Sequence, residues 1–399
     1  MLFPLLNLLE GSNGRVTAAE AANELADRFS LSSDARAAEG VYIRRDGRRS
    51  TFNRWRAAVR WVKQDAVRAD LVDAANRQTW SLTATGHEFL SIAEPGVVTV
   101  VAVTDLGTIL WADAISAMGS IHDQSVKLCF TSPPYPLVTQ RQYGGDLGPW
   151  RPEHWVDTMI AHTAKLRPLL TMDGSLVLGL GDCYRKGAPV LLPYQEILTV
   201  ELIRRGWQLC GKTVHFNPSS ALRTDWVTKT RERTNIAYET YFHFAPTTRP
   251  YSSTWNVLRP YSKRYQANLA KGGEVRKAQR GGSQMLAAGT RYARDNGGAI
   301  PHNVLQFGNS SANGHYADFC HEIGVPLCPA PMAYGVASHF VRLASSRGDT
   351  VFDPFAGSLQ TAKACEDHGR RYIASERNLA FVQGGMFRLR EAPGACLIT

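Results

Sequence analysis

The sequence predicts an α/β fold, an open sheet with helices on both faces, behind a small helical N-terminal domain. Three observations predict it. From Val103 onward strand-like and helix-like segments alternate, the pattern of a sheet covered by its own connections. Residues 1–95 follow another pattern, helix after helix and then a short pair of strands. Between 246 and 300 neither pattern holds.

The 399 residues suffice for two or three structural units. A hydrophobic fraction of 44% is ordinary for a folded, water-soluble protein. The formal net charge of +10 suits a polyanionic partner such as nucleic acid, and suits a merely basic enzyme equally well. Seven cysteines are scattered without a CxxC pair, so neither a zinc site nor a redox pair is expected, and the thiols fit a reducing compartment. The apolar start, Met1–Leu9, lacks the cationic flank and small-residue cleavage site of a leader. No stretch approaches the ~20 apolar residues of a membrane span. A soluble, cytoplasmic protein is expected.

Taken in order, Leu2–Leu9 reads as an apolar turn or helix. Thr17 with Glu20 three places on reads as a capping box, opening a helix that runs through Leu25 and Phe29. A loop rich in Ser and Asp follows. Arg44, Arg45, Arg48 and Arg49 lead into a second long helix, Thr51 to about Val67, with Phe52, Trp55, Val59 and Val62 on one face. Arg54, Arg56, Arg60 and Lys63 point elsewhere and are candidate phosphate contacts. Leu71–Val72 and Trp80–Leu82 read as a two-stranded wing, and Thr83–Ile92 as a closing helix. Helix, helix, basic helix and wing is the order of a winged helix-turn-helix. The plainer reading is a helical domain with a solvated basic face.

Pro95 and Gly96 open a linker into a strand. Lys127–Thr131, Ser175–Gly181 and Val351–Asp353 are strand candidates, and Trp155–Leu170 and Leu359–His368 are helix candidates. Residues 246–300 carry Arg249, Arg259, Lys263, Arg264, Lys271, Arg276, Lys277, Arg280, Arg291 and Arg294 against only Glu274 and Asp295, with tyrosines interleaved. A long basic insert within an α/β domain is usually functional or disordered.

Two motifs carry chemistry. In Phe352–Asp353–Pro354–Phe355–Ala356–Gly357–Ser358 a strand passes through a turn of small residues into a helix, so backbone can approach a ligand closely. Asp353 can accept a hydrogen bond from a cationic amine, and Glu376, at the end of the next strand, stands where an acid binds ribose hydroxyls in nucleotide-binding α/β folds. No G-x-G-x-x-G is present, so a dinucleotide is not indicated. The second motif, Ser132–Pro133–Pro134–Tyr135, follows the apolar strand Val126–Phe130. An exocyclic base amine is a weak nucleophile because its lone pair is delocalised into the ring. A catalyst accepts hydrogen bonds from its N–H groups and holds it in line with the group to be transferred. The Ser132 hydroxyl and the Pro133 carbonyl suit that task. Two prolines stiffen the backbone, and Tyr135 can stack on an extruded base.

DPFAGS with Glu376 resembles the S-adenosyl-L-methionine site of the DNA amino-methyltransferases. Cys328–Pro329–Ala330–Pro331–Met332 resembles their HPAP-type segment, with Cys328 in place of the frequent His. After Ser358 many relatives continue with Gly, where this chain has Leu359 and Gln360. SPPY resembles the catalytic motif of the cytosine-N4 branch, the adenine-N6 enzymes more often having Asp first. The catalytic motif precedes the cofactor motif with the basic insert between them, the permuted, beta-type order of the family.

The resemblance covers roughly 100–390. It implies a Rossmann-like methyltransferase fold with permuted motif order at 100–399 and a target-recognition insert at about 246–320. It also implies a cofactor contact to adenine from Asp113 and cofactor contacts from Pro329 and the 352–358 turn. Residues 1–95 resemble the N-terminal domain of Mrr-type restriction proteins. The implied activity is methyl transfer to cytosine N4 in double-stranded DNA, without metal, in a bacterial or archaeal cytoplasm at the nucleoid. The setting is either restriction–modification beside a separately acting endonuclease or solitary modification. The alternatives are adenine N6 as the target, or a DNA-binding regulator with an idle methyltransferase fold.

Overall fold

In the computed structural model, the structure describes residues 2–12, 16–29, 31–43, 48–75, 78–90, 92–136, 152–222, 224–276, 289–291, 293–308 and 310–398. Among these, the chain forms one compact unit up to Ala93 and a second from Glu94 onward.

The first unit runs α1 (Leu2–Gly11), β1 (Val16–Thr17), α2 (Ala18–Arg28), α3 (Ser33–Ala37), β2 (Glu39–Ile43), β3 (Arg49–Asn53), α4 (Arg54–Arg68), β4 (Thr79–Trp80) and α5 (Ala84–Leu90). α2 begins at the capping box: Glu20 N donates to Thr17 Oγ1 at 3.2 Å, and Thr17 N donates to the Glu20 carboxylate at 2.7 Å. Leu5, Leu6, Leu9, Leu25, Val59 and Trp80 form the buried core. The Trp55 indole N–H reaches Ala22 O at 2.7 Å and ties α4 to α2.

Three sequence expectations change here. The Ser/Asp-rich stretch holds the short helix α3, capped by Ser32, and then a β2–β3 hairpin. The long helix begins at Arg54 rather than Thr51, because Asn53 caps it and Thr51–Asn53 pair as strand. The wing at 71–82 reduces to one bridge, Val72–Leu82, because Trp80 and Thr79 pair instead with Val16 and Thr17.

The second unit runs β5 (Thr99–Val103), β6 (Gly107–Trp111), α6 (Ala114–Met118), β7 (Val126–Thr131), α7 (Pro152–Leu166), β8 (Leu170–Gly181), α8 (Tyr194–Arg204), β9 (Gln208–Phe216) and β10 (Tyr238–Ala245). It continues with α9 (Lys263–Ala270), β11 (Glu274–Arg276), β12 (Gly289–Arg291), β13 (Val304–Gln306), α10 (Ser310–Glu322), α11 (Tyr334–Ala344), β14 (Thr350–Asp353), α12 (Gln360–His368), β15 (Arg371–Glu376), α13 (Leu379–Gly385) and β16 (Cys396–Leu397). Ten strands form one sheet in the order β13-β9-β10-β8-β7-β14-β15-β6-β5-β16. β8, β7, β14, β15 and β6 are mutually parallel, and β10 is antiparallel to β8.

The parallel strands are buried on both faces, which explains their apolar runs. Phe340, Val341 and Ala337 of α11 and Ala362 of α12 pack in one core cluster; Trp155 and Met159 of α7 and Leu198 of α8 pack in another. α7 stops at Leu166, earlier than its periodicity suggests, because Pro168 follows and Leu170 already enters the sheet. Within the target-recognition insert expected at about 246–320, 304–306 join the sheet edge beside β9, and Tyr316 and Cys320 of α10 pack on Cys328 and Phe381. Those residues therefore belong to the body of the unit.

Candidate active site

The parallel strands deliver their C-terminal ends to one edge of the sheet, where open α/β sheets place their ligand crevices. Thr131, Gly181, Asp353 and Glu376 end β7, β8, β14 and β15. β10 runs the other way, so its start lies at the same edge: Glu239 pairs with Gly181.

At the end of β7, Ser132 Oγ donates to Gly179 O at 3.0 Å and lies 3.2 Å from the Tyr135 hydroxyl. Tyr135 donates to Glu239 Oε1 at 3.1 Å. Its ring is held against Gly181, where a Cβ would come within 2.7 Å of Tyr135 Cε2. Pro133 is buried, and the Pro134 carbonyl accepts from the Trp155 indole N–H at 2.8 Å. The loop is thus pinned by stiff backbone and by a buried aromatic from α7.

At the end of β14, Asp353 is buried and turned into the protein. It accepts from the Thr131 hydroxyl at 2.6 Å, the Thr361 hydroxyl at 2.5 Å and the Phe355 amide at 3.1 Å. Sequence reasoning aimed this carboxylate at a cationic amine. The structure gives its hydrogen bonds to β7, α12 and the turn itself. Burial pushes its pKa up to about 6, against those three hydrogen bonds.

Glu376 accepts from Gly357 N and Asn378 N, both at 2.8 Å. Burial pushes its pKa up to about 7; the two amides oppose the shift and Asp353 adds to it. Between these acids the turn Pro354–Phe355–Ala356–Gly357–Ser358 is held from both sides. Ala356 N donates to Ser375 O at 2.9 Å, while Arg388 donates through Nε to Ser358 O at 2.8 Å.

Gly357 and Leu359 both take left-handed backbone, with φ of 48° and 62°. Leu359 therefore takes under strain a conformation that Gly takes freely, at about 1–2 kcal/mol. Its fully buried side chain in the core offsets that, and Gly385 leaves room for it, since a Cβ there would meet Leu359 Cγ at 2.7 Å. Cys328 Sγ lies 3.0 Å from where a Gly357 Cβ would be, which puts the Cys328–Pro329 segment directly beside the turn. Phe352 is buried in the strand. Asp113 caps α6, accepting from Ile115 N at 2.9 Å and Ser116 N at 3.0 Å, next to the β6–β15 pairing that ends at Glu376.

Residues 126–386 match the family described as DNA methylase. The chain belongs to that family. Residues 1–91 of this methylase match the Mrr N-terminal domain. Over 289 residues it is 30% identical to the type II methyltransferase M.PvuII of Proteus hauseri, a match covering 71% of this chain and 84% of the relative. The structure titled PvuII DNA methyltransferase (cytosine-N4-specific) superposes with a TM-score of 0.57 at 26% identity, covering 74% of this chain and 89% of that one. The type II methyltransferase M.MwoI of Methanothermobacter wolfeii is 35% identical over 118 residues, 28% of this chain and 17% of that relative.

The methylase's candidate DNA contacts fall into two groups, one in each unit. Arg56, Arg60 and Lys63 share a face of α4 by their spacing of four and three, with Arg54 on another side. The three arginines are exposed; Lys63 is half-buried, its ammonium 5.8 Å from the Trp80 ring centroid. In the second unit Lys263 and Arg264 open α9 and are exposed, as is Arg294. Tyr261 and Tyr265 stack there at 4.2 Å, and Tyr265 donates to Arg294 O at 3.3 Å. Arg276 and Arg291 sit on the paired strands β11 and β12, while Lys277 and Arg280 lie outside the described residues.

Sequence reasoning gave no role in the site to Thr131, Thr361, Trp155, Glu239 or Arg388. Only Glu239 carried a local signal, a lone acid among the aromatics of Tyr238–Phe244.

Proposed function

We propose that this methylase transfers the methyl group of S-adenosyl-L-methionine to N4 of cytosine in duplex DNA. The observation that carries the reading is the joining of two motifs. The SPPY loop and the DPFAGS turn end adjacent strands and are bonded through Thr131 and Asp353 at 2.6 Å. The likeness to M.PvuII, whose structure is titled cytosine-N4-specific, supports cytosine as the base.

The cofactor's chemistry suits the turn. Two buried carboxyls held above their ordinary pKa favour a ligand that brings hydroxyl donors and positive charge. When bound, the cofactor supplies a methyl group made electrophilic by its sulfonium. Glu376 would accept from its ribose hydroxyls, Asp113 would contact its adenine, and Gly357, Ala356 and Pro329 would let backbone come close. Asp353 acts at one remove by fixing the turn to β7. The target cytosine is extruded from the duplex. Ser132 Oγ and the Pro133 carbonyl accept its amine hydrogens, and Tyr135 flanks it. Arg54, Arg56, Arg60 and Lys63 hold phosphates from one unit. Lys263, Arg264, Arg276, Lys277, Arg280, Arg291 and Arg294 belong to the target-recognition insert. The setting is the cytoplasm of a prokaryote, with nucleoid DNA as substrate and a cognate endonuclease acting separately.

The test is methyl transfer from labelled cofactor to mixed-sequence duplex DNA, followed by nucleoside mass spectrometry. N4-methylcytosine is the expected product. N6-methyladenine overturns the base assignment, and bound cofactor without any product across a full set of short sequences overturns the activity.

A further inference from the structure

A chain of polar groups leads away from Ser132 to Glu239, whose side chain is 36% exposed. Ser132 Oγ lies 3.2 Å from the Tyr135 hydroxyl, and Tyr135 donates to Glu239 Oε1 at 3.1 Å. Tyr241 donates to Glu239 Oε2 at 3.3 Å, and burial first, then Glu239, pushes that phenol well above its ordinary value, so it serves as a donor. His215 closes the chain on the far side. Its Nε2 lies 3.0 Å from the Phe307 carbonyl, which only accepts, so Nε2 carries a hydrogen, and in the tautomer with one ring hydrogen Nδ1 is an acceptor. That Nδ1 is buried without a hydrogen-bond partner among the described residues and faces Glu239 Oε2 at 3.7 Å, its side chain 3% exposed. A buried acceptor left unmatched is unfavourable. Neutralising Glu239 relieves the facing of a carboxylate oxygen against that lone pair.

From this we infer that Glu239 is the terminal acceptor of the proton that the target amine loses, reached through Ser132 and Tyr135. The inference rests on the amine-methylation reading. Once nitrogen has bonded to the methyl carbon and the carbon–sulfur electron pair has left as a thioether, the nitrogen holds one proton in excess. That proton passes to Ser132 Oγ as the serine hydrogen moves to Tyr135 Oη and the tyrosine hydrogen moves to Glu239. The sum is one proton transferred and one carboxylate neutralised, with both hydroxyls restored. Gly179 offers Ser132 only a carbonyl, which cannot take the proton, so the route through Tyr135 is the one with a base at its end.

The experiment is a single-turnover methylation assay on Glu239→Gln, with cofactor and DNA affinities measured separately by titration. Glutamine keeps the shape and accepts from Tyr135 but cannot be the base. The rate should fall by at least about 100-fold, the low end of what general-base removal gives, with both affinities within about twofold of wild type. A rate within about twofold of wild type overturns the assignment, as does a rate loss matched by lost affinity.

Tyr135→Phe cuts the chain midway without touching the carboxylate, so it reads the same step even if the glutamine variant folds poorly. In a double-mutant cycle the second change should add little to the first. Multiplying effects overturn the relay. The product is identified in the same assay. Wild type making N6-methyladenine removes the cytosine reading and leaves the relay under test, because either amine sheds a proton.

Discussion

The two halves of the site solve the burial of charge in opposite ways. The cofactor half is local: Asp353, the turn and Glu376 lie within two consecutive strands, and their carboxylates are matched by nearby amides and hydroxyls. The catalytic half is assembled over distance. Tyr135 meets Glu239 across 104 residues, and His215 meets Phe307 across 92. A ligand that arrives ready-made needs only a rigid cradle, which a turn supplies. A proton that must leave needs a connected path, which only several strands can line.

The sharpest break of this comparison is Ser132→Ala. It should lower the single-turnover rate by about 10²–10³-fold, the scale of one lost transition-state contact, while cofactor affinity by calorimetry stays unchanged. Equal loss in both would merge the halves. Next comes Asp353→Ala, which leaves the buried Thr131 hydroxyl and the Thr361 hydroxyl without their acceptor. Urea denaturation should show a loss of about 2–5 kcal/mol, and here rate and cofactor affinity should fall together. Leu359→Ala relieves no left-handed strain but opens the core. A loss of about 2–4 kcal/mol in the same measurement, with weaker cofactor binding and little change at Ser132, marks it as belonging to the cofactor half.

Acidity separates the halves further. Asp353 and Glu376 titrate above their ordinary values of 3.8 and 4.5. Their contribution to the ligand-free fold is therefore fully present below those values, and is lost as pH rises through about 6 and about 7 respectively. On the role proposed for Glu376, cofactor binding runs the opposite way, since a carboxylate accepts ribose hydrogens best when ionised. Calorimetric affinity should drop as pH falls through about 7, and a flat profile would count against Glu376 as the ribose ligand. The smallest effect is expected from charge reversal at Arg56 and Arg60. DNA affinity should weaken several-fold for every sequence, with a shallower salt dependence and an unchanged single-turnover rate at saturation.

The same contrast decides what the sequence could reveal. DPFAGS, Glu376 and SPPY are contiguous or sit at strand ends, so local pattern and residue chemistry expose them. Thr131 and Thr361 read as ordinary strand and helix residues, because their meaning comes from the β7–β14 pairing that brings Asp353 between them. His215 lies in a strand that alternates like any sheet edge, and nothing near it announces Phe307. The first unit repeats the lesson. The Thr17–Glu20 cap was legible because it is a three-residue signal. The Val16–Trp80 pairing was not, and with it went the placing of the wing.

The Thr131–Asp353 bond spans 222 residues of chain and is one of the tightest links in the site. The entropy of closing so long a loop grows only logarithmically, by about 0.6 kcal/mol for each doubling of its length. Lengthening or shortening the insert at 246–300, which lies between the two motifs, is therefore thermodynamically cheap. New DNA-reading segments can be grafted or trimmed there with the chemical centre held fixed, so target preference and catalytic competence are free to evolve on separate schedules.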